Sequence, residues 1–284
     1  MVKMDKCRVC GYEGETEYII IKEMMQGTKE EFVYFRCNHC GCLQICEVPE
    51  SMEQYYTGDY YSFSPPVIDM PKSEKESDMR VLDVGCGSGN LLCEMASQGH
   101  RQLEGCDPFI ENDITYQNGV KIYKRSIHMM EGTYDLIYMN DSFEHVTDPN
   151  EVMDKLSKLL APGGLVVMKL PVFPNIAYDL LGTNWYQLDA PRHIFLHTKE
   201  SLEYLAEKHG LQIVKREYNA TIGQIVISYL YSMGYTYYEQ TTEIMNQYFS
   251  STALEAIKKS TEEANKNEYG DHAIFYLQHR STNV

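Results

Sequence analysis

The amino-acid sequence predicts an α/β protein in which helices cover a mostly parallel, Rossmann-like sheet. From residue 79 onward, strand-like and helix-like segments alternate, which is typical of such a sheet. A glycine-rich loop follows the first of these strands. Six of the 9 cysteines lie within the first 46 residues, which indicates a small module of different construction. The chain of 284 residues is long enough for both units.

The order of the segments predicts three units. Residues 1–50 form the cysteine-rich module, and residues 51–78 form an aromatic lid segment followed by a polar linker. Residues 79–284 form the α/β domain, with a helical insertion at about 220–270. In this domain, strands are predicted at 80–84, 102–107, 120–123, 134–139, 165–170, 211–218 and 273–278, and helices at 90–98, 149–160 and 199–210.

The composition argues against several classes of function. The net charge is −16, with 41 acidic and 25 basic side chains, whereas binding to phosphate groups favours the opposite balance. No apolar run approaches the roughly 20 residues that a membrane span needs. The N-terminus lacks the apolar core of a signal peptide. We therefore expect a cytoplasmic protein that binds neither nucleic acid nor membrane.

The cysteine spacing in residues 1–50 predicts a zinc ribbon. Two Cys-x-x-Cys pairs, separated by strand-like segments, have the spacing of a tetrahedral thiolate zinc site. The four predicted ligands are Cys7, Cys10, Cys37 and Cys40. Such a closed site is structural, because it folds a module too small for a core of its own. Cys42 or Cys46 could replace Cys40, or could pack as small apolar residues.

The glycine loop after the first strand indicates a nucleotide-like ligand. Gly85, Gly87 and Gly89 let the chain reverse tightly and let a ligand lie against bare backbone. Dinucleotide-binding loops place the third glycine one position later and bind a pyrophosphate. Here Asp83 precedes the loop, where a carboxylate suits the cationic, phosphate-free S-adenosylmethionine. Asp107 ends the second strand, where it can accept both ribose hydroxyls.

Several motifs resemble those of the class I methyltransferase superfamily. Besides the loop and Asp107, they are Tyr134-Asp-Leu-Ile, Phe143-Glu-His-Val and Leu159-Leu-Ala-Pro-Gly-Gly. The resemblance covers about 79–218 and is best to the bacterial branch of ubiquinone-biosynthesis and sugar methyltransferases. It implies a mixed sheet of seven strands whose last strand is antiparallel. It also implies methionine binding at the glycine loop, ribose binding at Asp107 and adenine binding near Ser126 and Ile127.

Further residues are predicted to contact the cofactor or the acceptor. Asn140 follows the fourth strand, and Tyr61 of the aromatic segment is predicted to close over the cofactor. Zinc-ribbon leaders of this type resemble those of methyltransferases that act on nucleotide-linked or antibiotic sugars. In those enzymes the leader helps to form the acceptor pocket, which favours a sugar-like acceptor here.

The loop after the fourth strand holds the predicted catalytic groups. Transfer to a hydroxyl requires a general base, and the imidazole of His145 titrates near working pH. Glu144 is a second catalytic candidate, although both residues could simply cap the following helix. His193 is an alternative base or substrate contact.

The same loop suggests a divalent metal. Asp141-x-x-Glu144-His145 resembles the E-x-x-E-H motif of RNA-end and ubiquinone methyltransferases, with Asp in place of the first Glu. By this resemblance, Mg²⁺ or a similar ion would lie beside the acceptor hydroxyls and lower their pKa. His193 or His197 could add a further ligand.

The segment that follows the fifth strand predicts acceptor contacts. Its W-x-x-x-D-x-P-R-H pattern recurs in the same bacterial branch, where it borders the acceptor site. Trp185 and Tyr186 could stack on a sugar or another ring, and Arg192 could bind a phosphate, although Trp185 could equally be packed under a loop. The tyrosine-rich stretch 229–238 is predicted as a substrate cap or a homodimer contact.

Together these features predict an S-adenosylmethionine-dependent methyltransferase that acts on an oxygen of a small polar acceptor, such as a sugar or a nucleotide-linked sugar. Methylation of a carbon in a keto-sugar is the nearest alternative, because the same histidine would remove a proton beside a carbonyl. A non-catalytic binding or regulatory protein of this fold is an alternative of another class. A zinc-ribbon scaffold or nucleic-acid factor is opposed by the acidic charge balance.

Overall fold

A computed structural model describes residues 5–56, 64–68 and 77–280. Tyr61, which was predicted to contact the cofactor, lies outside these residues. No helix within the described ranges combines the length and the hydropathy needed to cross a lipid bilayer.

The N-terminal module contains five short strands. β1 (Asp5–Lys6) pairs with β2 (Glu13–Gly14), and β3 (Glu17–Lys22), β4 (Glu31–Arg36) and β5 (Leu43–Ile45) form an antiparallel sheet. The cysteine pairs lie in two similar turns, each closed by a glycine with positive φ. Gly11 N–H donates to Cys7 O at 2.8 Å, and Gly41 N–H donates to Cys37 O at 2.9 Å. The Cys-x-x-Cys-Gly sequence therefore produces the same turn twice.

The rest of the chain alternates strands and helices. Its elements are β6 (Ser77–Val84), α1 (Asn90–Ser97), β7 (His100–Cys106), β8 (Ile114–Thr115), β9 (Lys121–Tyr123), β10 (Tyr134–Asn140), α2 (Pro149–Leu159), β11 (Leu160–Pro171), α3 (Ile176–Leu181), β12 (Phe195–Leu196), α4 (Lys199–Lys208), β13 (Leu211–Tyr218), α5 (Gly223–Ser232), α6 (Thr242–Tyr248), α7 (Ser251–Lys266) and β14 (His272–His279). Three helices, α5 to α7, occupy the segment that was predicted to be a helical insertion.

The large sheet has the order β13-β14-β11-β10-β6-β7-β9-β8. Its five central strands, β9, β7, β6, β10 and β11, are parallel. β14 runs antiparallel between β11 and β13, as the family resemblance implies. The predicted fold class is confirmed, but the count of seven strands is wrong. The eighth is the two-residue β8, which pairs antiparallel with β9 and is too short to stand out in the sequence.

Helix α2 shows how local sequence produces these elements. Asp148 caps it by accepting from Asn150 N–H and Glu151 N–H at 2.9 and 3.0 Å, and Pro149 takes the first helical position. One face of the helix is buried against the sheet through Val152, Met153, Leu156 and Leu159. This i, i+3, i+4 spacing is the apolar stripe that a sheet-covering helix requires.

The ribbon is joined to the α/β part through a shared sheet. β12 pairs antiparallel with β5, so that Phe195 lies opposite Gln44 and Leu196 opposite Leu43. Thr198, which caps α4, donates its hydroxyl to Cys40 O at 2.6 Å. One cluster of buried apolar side chains is continuous from the ribbon into the large sheet. The boundaries near residues 50 and 78 stay predictions, but the ribbon sheet includes a strand from far beyond them.

Candidate functional site

Two adjoining cavities lie beyond the carboxyl ends of the parallel strands. The first has a volume of about 500 Å³ and the second about 330 Å³. Asp141 and His145 line both cavities, so the cavities meet at these side chains. This is the edge of an open α/β sheet at which ligands bind.

The glycine loop builds one wall of the first cavity. Gly85 has φ +76°, and a Cβ there would lie 2.6 Å from Ser142 Cβ. Gly89 has φ +84° at the start of α1, and a Cβ there would lie 2.6 Å from Ile122 Cδ1. Gly87 N–H points to Asp107 Oδ2 and donates to it at 2.9 Å. Glycine is therefore required for backbone conformation and close approach at 85 and 89.

Two acids lie behind this loop. Asp107 accepts from Gly87 N–H and from Phe109 N–H at 2.8 Å, although burial raises its pKa. Asp83 is 4% exposed. Burial, and the neighbouring charge of Asp107, raise the pKa of Asp83 to about 7. Asp83 is therefore a carboxyl group whose charge is sensitive to a bound cation.

Most of the predicted cofactor contacts meet in the first cavity. Its lining includes Asp83, Gly85, Asp107, Ser126, Ile127 and Asn140. Gly87 and Gly89 shape the turn behind that lining. Their roles in binding stay predictions.

Two aromatic side chains stack at the first cavity. Tyr56 belongs to the aromatic segment that the sequence predicts to close over the cofactor, whereas Phe109 was not identified from the sequence. Tyr56 stacks on Phe109 with ring centroids 5.1 Å apart and an interplanar angle of 15°. The Tyr56 hydroxyl lies 3.2 Å from His145 Nδ1. Phe109 follows Asp107 by two residues, so an aromatic residue just after the second-strand acid was the available signal in the sequence. In the structure its side chain is largely exposed.

His145 lies at the boundary of the two cavities. It ends a short 3₁₀ helix, Phe143–His145, and its Nδ1 donates to Arg192 O at 2.8 Å. This hydrogen bond places the proton on Nδ1 and leaves Nε2 with a lone pair. Burial, and the nearby imidazole of His193, lower the pKa of His145 to about 3. The side chain is therefore a neutral imidazole. The expectation that it titrates near working pH is corrected, because burial makes it a weaker base than a free histidine.

Glu144 is a buried carboxyl group without a hydrogen-bond partner among the described residues. Burial, and the charge of Asp141, raise its pKa well above the usual range. His193 Nδ1 donates to Gln187 O at 2.7 Å, and His193 Nε2 lies 3.9 Å from Glu144 Oε1. A buried carboxylate without a hydrogen-bond partner is energetically costly. Glu144 is therefore expected either to carry a proton or to contact a bound ligand.

The structure changes the predicted divalent site. Glu144, His145 and His193 each offer a ligand atom, and these atoms lie within 4.8 Å of one another. Asp141 is not in this set. Its Oδ1 lies 2.6 Å from His272 Nε2 and its Oδ2 accepts from Lys169 Nζ at 3.0 Å. The prediction of Asp141 as a ligand is therefore corrected, and His193 takes its place.

The partners of Asp141 also determine its charge. Burial raises its pKa, but the hydrogen bond and charge of His272, together with the charge of Lys169, outweigh burial and bring the pKa to about 2. The residue has φ +48°, an uncommon conformation that Asp tolerates better than most residues. Asp141 is thus a fixed carboxylate in a charge-balanced group.

Two predicted acceptor contacts are not made. Trp185 is 1% exposed, and its indole N–H donates to Asp271 Oδ2 at 2.9 Å. Arg192 is 1% exposed and forms hydrogen bonds with Asp189 and with Tyr55 O. Both side chains are buried, and both need these hydrogen bonds, because an unpaired charge or an unpaired indole N–H would be costly in the interior. The stacking and phosphate-binding predictions are therefore corrected.

The second cavity contains other side chains in their place. Tyr186 lines it, and its contact with an acceptor stays a prediction; Tyr231 and Tyr237 line it from the tyrosine-rich segment. Lys169 and His272 line it as well and were not identified from the sequence. The signal for His272 was its position at the start of the antiparallel strand β14. Such a strand begins at the edge where the parallel strands end.

The ribbon brings four thiols together. The sulfur atoms of Cys7, Cys10, Cys37 and Cys40 lie within 4.8 Å of one another, with Cys7 Sγ 3.6 Å from Cys40 Sγ. Cys42 is buried outside this group, and its Sγ lies 4.0 Å from His197 Nδ1. The cluster could hold zinc, and its geometry selects Cys40 over Cys42 and Cys46 as the fourth ligand.

A family model described as a methyltransferase domain matches residues 60–216, more than half of the chain. The chain belongs to the methyltransferase domain family. The resemblance inferred from the glycine loop and the later motifs is thereby confirmed. The matched methyltransferase domain contains the loop, both acids and the boundary histidine.

Three curated relatives indicate how far the similarity extends. The sterol 4-C-methyltransferase strm-1 of Caenorhabditis elegans is 25% identical over 222 residues, 64% of this chain and 63% of the relative. A ubiquinone biosynthesis O-methyltransferase of Bordetella avium (strain 197N) is 35% identical over 99 residues, 31% of this chain and 40% of the relative. The C-methyltransferase NovU of Streptomyces niveus is 24% identical over 250 residues, 74% of this chain and 57% of the relative. The chain thus spans less than two thirds of the length of each.

We expect Cys40→Ser to lower the metal content of the purified protein to well below one ion per chain. A serine hydroxyl does not replace a thiolate in a four-sulfur site. Cys46→Ser is the matched control and should keep the full metal content, because Cys46 lies outside the cluster. Elemental analysis measures both, and equal metal content in the two variants would contradict the assignment.

Proposed function

We propose that this chain transfers a methyl group from S-adenosylmethionine to a small polar acceptor. The cofactor occupies the first cavity and the acceptor the second. The methyl group then crosses the boundary lined by Asp141 and His145. The observation that carries the proposal is this meeting of two cavities, one of them built on the glycine loop, in a member of the methyltransferase domain family.

The cofactor contacts follow from the lining of the first cavity. The backbone at Gly85 lets the methionine part approach, and Asp83 faces its positive charges. The Asp107 carboxylate, fixed by two backbone N–H groups, accepts from the ribose hydroxyls. Ser126 and Ile127 border the adenine.

His145 is the proposed general base. Because Nδ1 donates to Arg192 O, the lone pair on Nε2 is available for the proton of an acceptor hydroxyl. The carbon that is transferred is already activated by the sulfonium, so holding the acceptor in line supplies much of the rate. The proton is taken up by the imidazole as the oxygen–carbon bond forms and the sulfur–carbon bond breaks.

The lining of the second cavity supports a neutral polyhydroxyl acceptor, such as a sugar. Lys169 forms an ion pair with Asp141, so its positive charge is already balanced by a carboxylate of the protein. The phenol groups of Tyr186, Tyr231 and Tyr237 lie around the same cavity. Aromatic rings with hydroxyl groups can pack on a sugar ring and bond to its edge.

Transfer to carbon is a second candidate, and the printed names of two relatives favour it. Removing a proton beside a carbonyl requires a base and a group that stabilises the enolate oxygen. His145 and Lys169 line the same cavity and can take these roles. Analysis of a product labelled with a ¹³C methyl group distinguishes a methyl on oxygen from a methyl on carbon.

A divalent ion is the alternative way to activate an acceptor hydroxyl. The unpaired oxygens of Glu144 and one ring nitrogen each of His145 and His193 fit an ion at this place. One carboxylate with two imidazoles suits Mn²⁺, Fe²⁺, Co²⁺ or Zn²⁺ better than Mg²⁺, which prefers oxygen ligands. Such an ion would lower the pKa of the hydroxyl, and the two histidines would then hold the ion instead of the proton.

The affinity for S-adenosylmethionine is expected to rise about tenfold between pH 6 and pH 8. Asp83, with a pKa of about 7, is mostly neutral at pH 6 and mostly a carboxylate at pH 8. The carboxylate is the form that attracts the cationic ligand, so affinity increases as the proton leaves. Isothermal titration calorimetry measures the change. Asp83→Asn should hold the low-pH affinity throughout, while Glu94→Gln on the exposed face of α1 should keep the rise; a flat wild-type profile would refute the assignment.

His145→Gln should lower kcat by about 10²- to 10⁴-fold, the usual effect of losing a general base. The amide can still donate to Arg192 O, so affinity for the cofactor should change little. His279→Gln, at the far end of β14, is the matched control. Transfer of a labelled methyl group to a panel of hydroxyl and keto compounds measures activity, and full activity in His145→Gln would exclude the residue as base.

If the metal alternative holds, Mn²⁺ should bind to the protein at a second site and raise its melting temperature. Glu144→Gln should abolish this shift, because it removes the anionic ligand. Glu131→Gln, on an exposed residue, should preserve it. Differential scanning calorimetry after saturation of the ribbon with zinc makes the comparison, and an identical Mn²⁺ shift in both variants would rule out this ligand set.

A further inference from the structure

A tyrosine side chain of the ribbon donates a hydrogen bond to the backbone beside the second cavity. Tyr34 is on β4, in the interior of the ribbon sheet, with its ring fully buried. Its hydroxyl donates to His193 O at 2.9 Å, across 159 residues of sequence. Burial, and the charge of Asp189, raise the pKa of this phenol well above its usual range, so the hydroxyl keeps its proton and acts as donor.

The backbone next to His193 is held by the ribbon and by the catalytic loop at once. Ile45 N–H of β5 donates to Ile194 O at 3.0 Å. On the other side, Ile194 N–H donates to Glu144 O at 2.9 Å. β12 follows directly and continues the ribbon sheet. The segment 192–196 is therefore a bridge between the ribbon and the loop that carries Glu144 and His145.

The bridge also sets the protonation pattern of the boundary histidine. His145 Nδ1 donates to Arg192 O, the carbonyl of the residue before the one that Tyr34 holds. If the peptide planes at 192–194 rotated, that acceptor would turn away from Nδ1. The imidazole would then lose the partner that keeps its proton on Nδ1 and its lone pair on Nε2.

We propose that Tyr34 is a positioning residue for the methyl-transfer site, through which the ribbon fixes the orientation and tautomer of His145 and the placement of His193. The proposal rests on the proposed function for its catalytic consequence. A phenylalanine would fill the same volume, so apolar packing alone does not call for a hydroxyl at this position. The hydroxyl satisfies the His193 carbonyl, which would otherwise be buried without this partner.

The test begins with the unaltered protein. Nitrogen-15 NMR of the histidine rings reports which nitrogen carries the proton, and the proposal requires His145 to be protonated on Nδ1. A His145 ring protonated on Nε2 in the unaltered protein would overturn it. This measurement needs no variant to fold.

Tyr34→Phe is the decisive variant, because it removes only the hydroxyl. We expect the ring signals of His145 and His193 to shift, and kcat to fall about tenfold with the KM for S-adenosylmethionine unchanged. Cofactor affinity, measured by calorimetry, and the metal content of the ribbon should match those of the unaltered protein. Unchanged histidine signals would overturn the proposal.

Two controls separate positioning from general loosening of the ribbon. Asn150→Ala removes the hydrogen bonds from its side-chain amide to Arg8 O and Val9 O, at 2.8 and 3.1 Å, and so weakens ribbon docking elsewhere. Tyr12→Phe changes an exposed ribbon tyrosine. Both should leave the histidine signals and kcat unchanged. If Asn150→Ala reproduces the effects of Tyr34→Phe, the role of Tyr34 is structural and the proposal fails.

The outcomes also separate this proposal from the proposed function. If the chain binds no S-adenosylmethionine, the methyl-transfer function fails whatever the histidine signals show. If it binds the cofactor and transfers methyl groups while Tyr34→Phe behaves like the unaltered protein, only the positioning role fails.

Discussion

The antiparallel pairing of β5 with β12 is the contact that fixes the segment 192–196 against the ribbon. Thr198 and Asn150 add hydrogen bonds to the ribbon backbone, and a continuous core joins the two parts. The pairing places the ribbon beside the second cavity, to whose lining the ribbon contributes Met25. Short strands such as these are marginal alone and gain stability from the packing of Phe195 and Leu196 in the common core.

Several polar groups of the site are held in states that lower the free energy of unfolding. Glu144 is buried without a hydrogen bond, Asp83 lies near a second acid, and His145 is kept neutral by burial. Each of these costs free energy that apolar packing elsewhere offsets. Such groups cluster where a ligand or a reaction uses them, which is why two adjoining cavities with these linings mark a functional region.

Local features of the chain were predictable from the sequence. The positive φ angles at Gly85 and Gly89 follow from glycine chemistry, and Asp107 follows from its place at a strand end. Strand β13 has the predicted bounds, 211–218, because its composition and the preceding Gly210 mark it clearly. The Cys-x-x-Cys pairs met because two identical turns present their sulfur atoms in the same way.

The features that could not be predicted from the sequence depend mainly on contacts between side chains, several of them far apart in the chain. Trp185 and Arg192 lie in a motif that suggests ligand contact. Trp185 instead donates to Asp271, far along the chain, and Arg192 is paired with Asp189 of the same motif. The sequence favours Asp141 as a metal ligand, because nothing near it in the chain reveals that His272 Nε2 lies 2.6 Å from its Oδ1. Tyr34 belongs to a strand-like, largely apolar run, so its sequence context gives no sign that its hydroxyl donates to His193 O.

The antiparallel course of β14 has a consequence for the order in which the molecule is completed. Since β14 starts at the edge where the parallel strands end, Asp271 and His272 reach the second cavity at a late stage of synthesis. Chains emerge from the ribosome N-terminus first, and a domain generally folds as a unit. The glycine loop and its two acids are therefore synthesised early, but the sheet is complete only when β14 has paired with β11 and β13. A chain that ended before β14 would lack the His272 partner of Asp141 and also the core residues Ala273, Phe275 and Leu277, so the last strand completes both the charge balance at the cavities and the packing of the sheet.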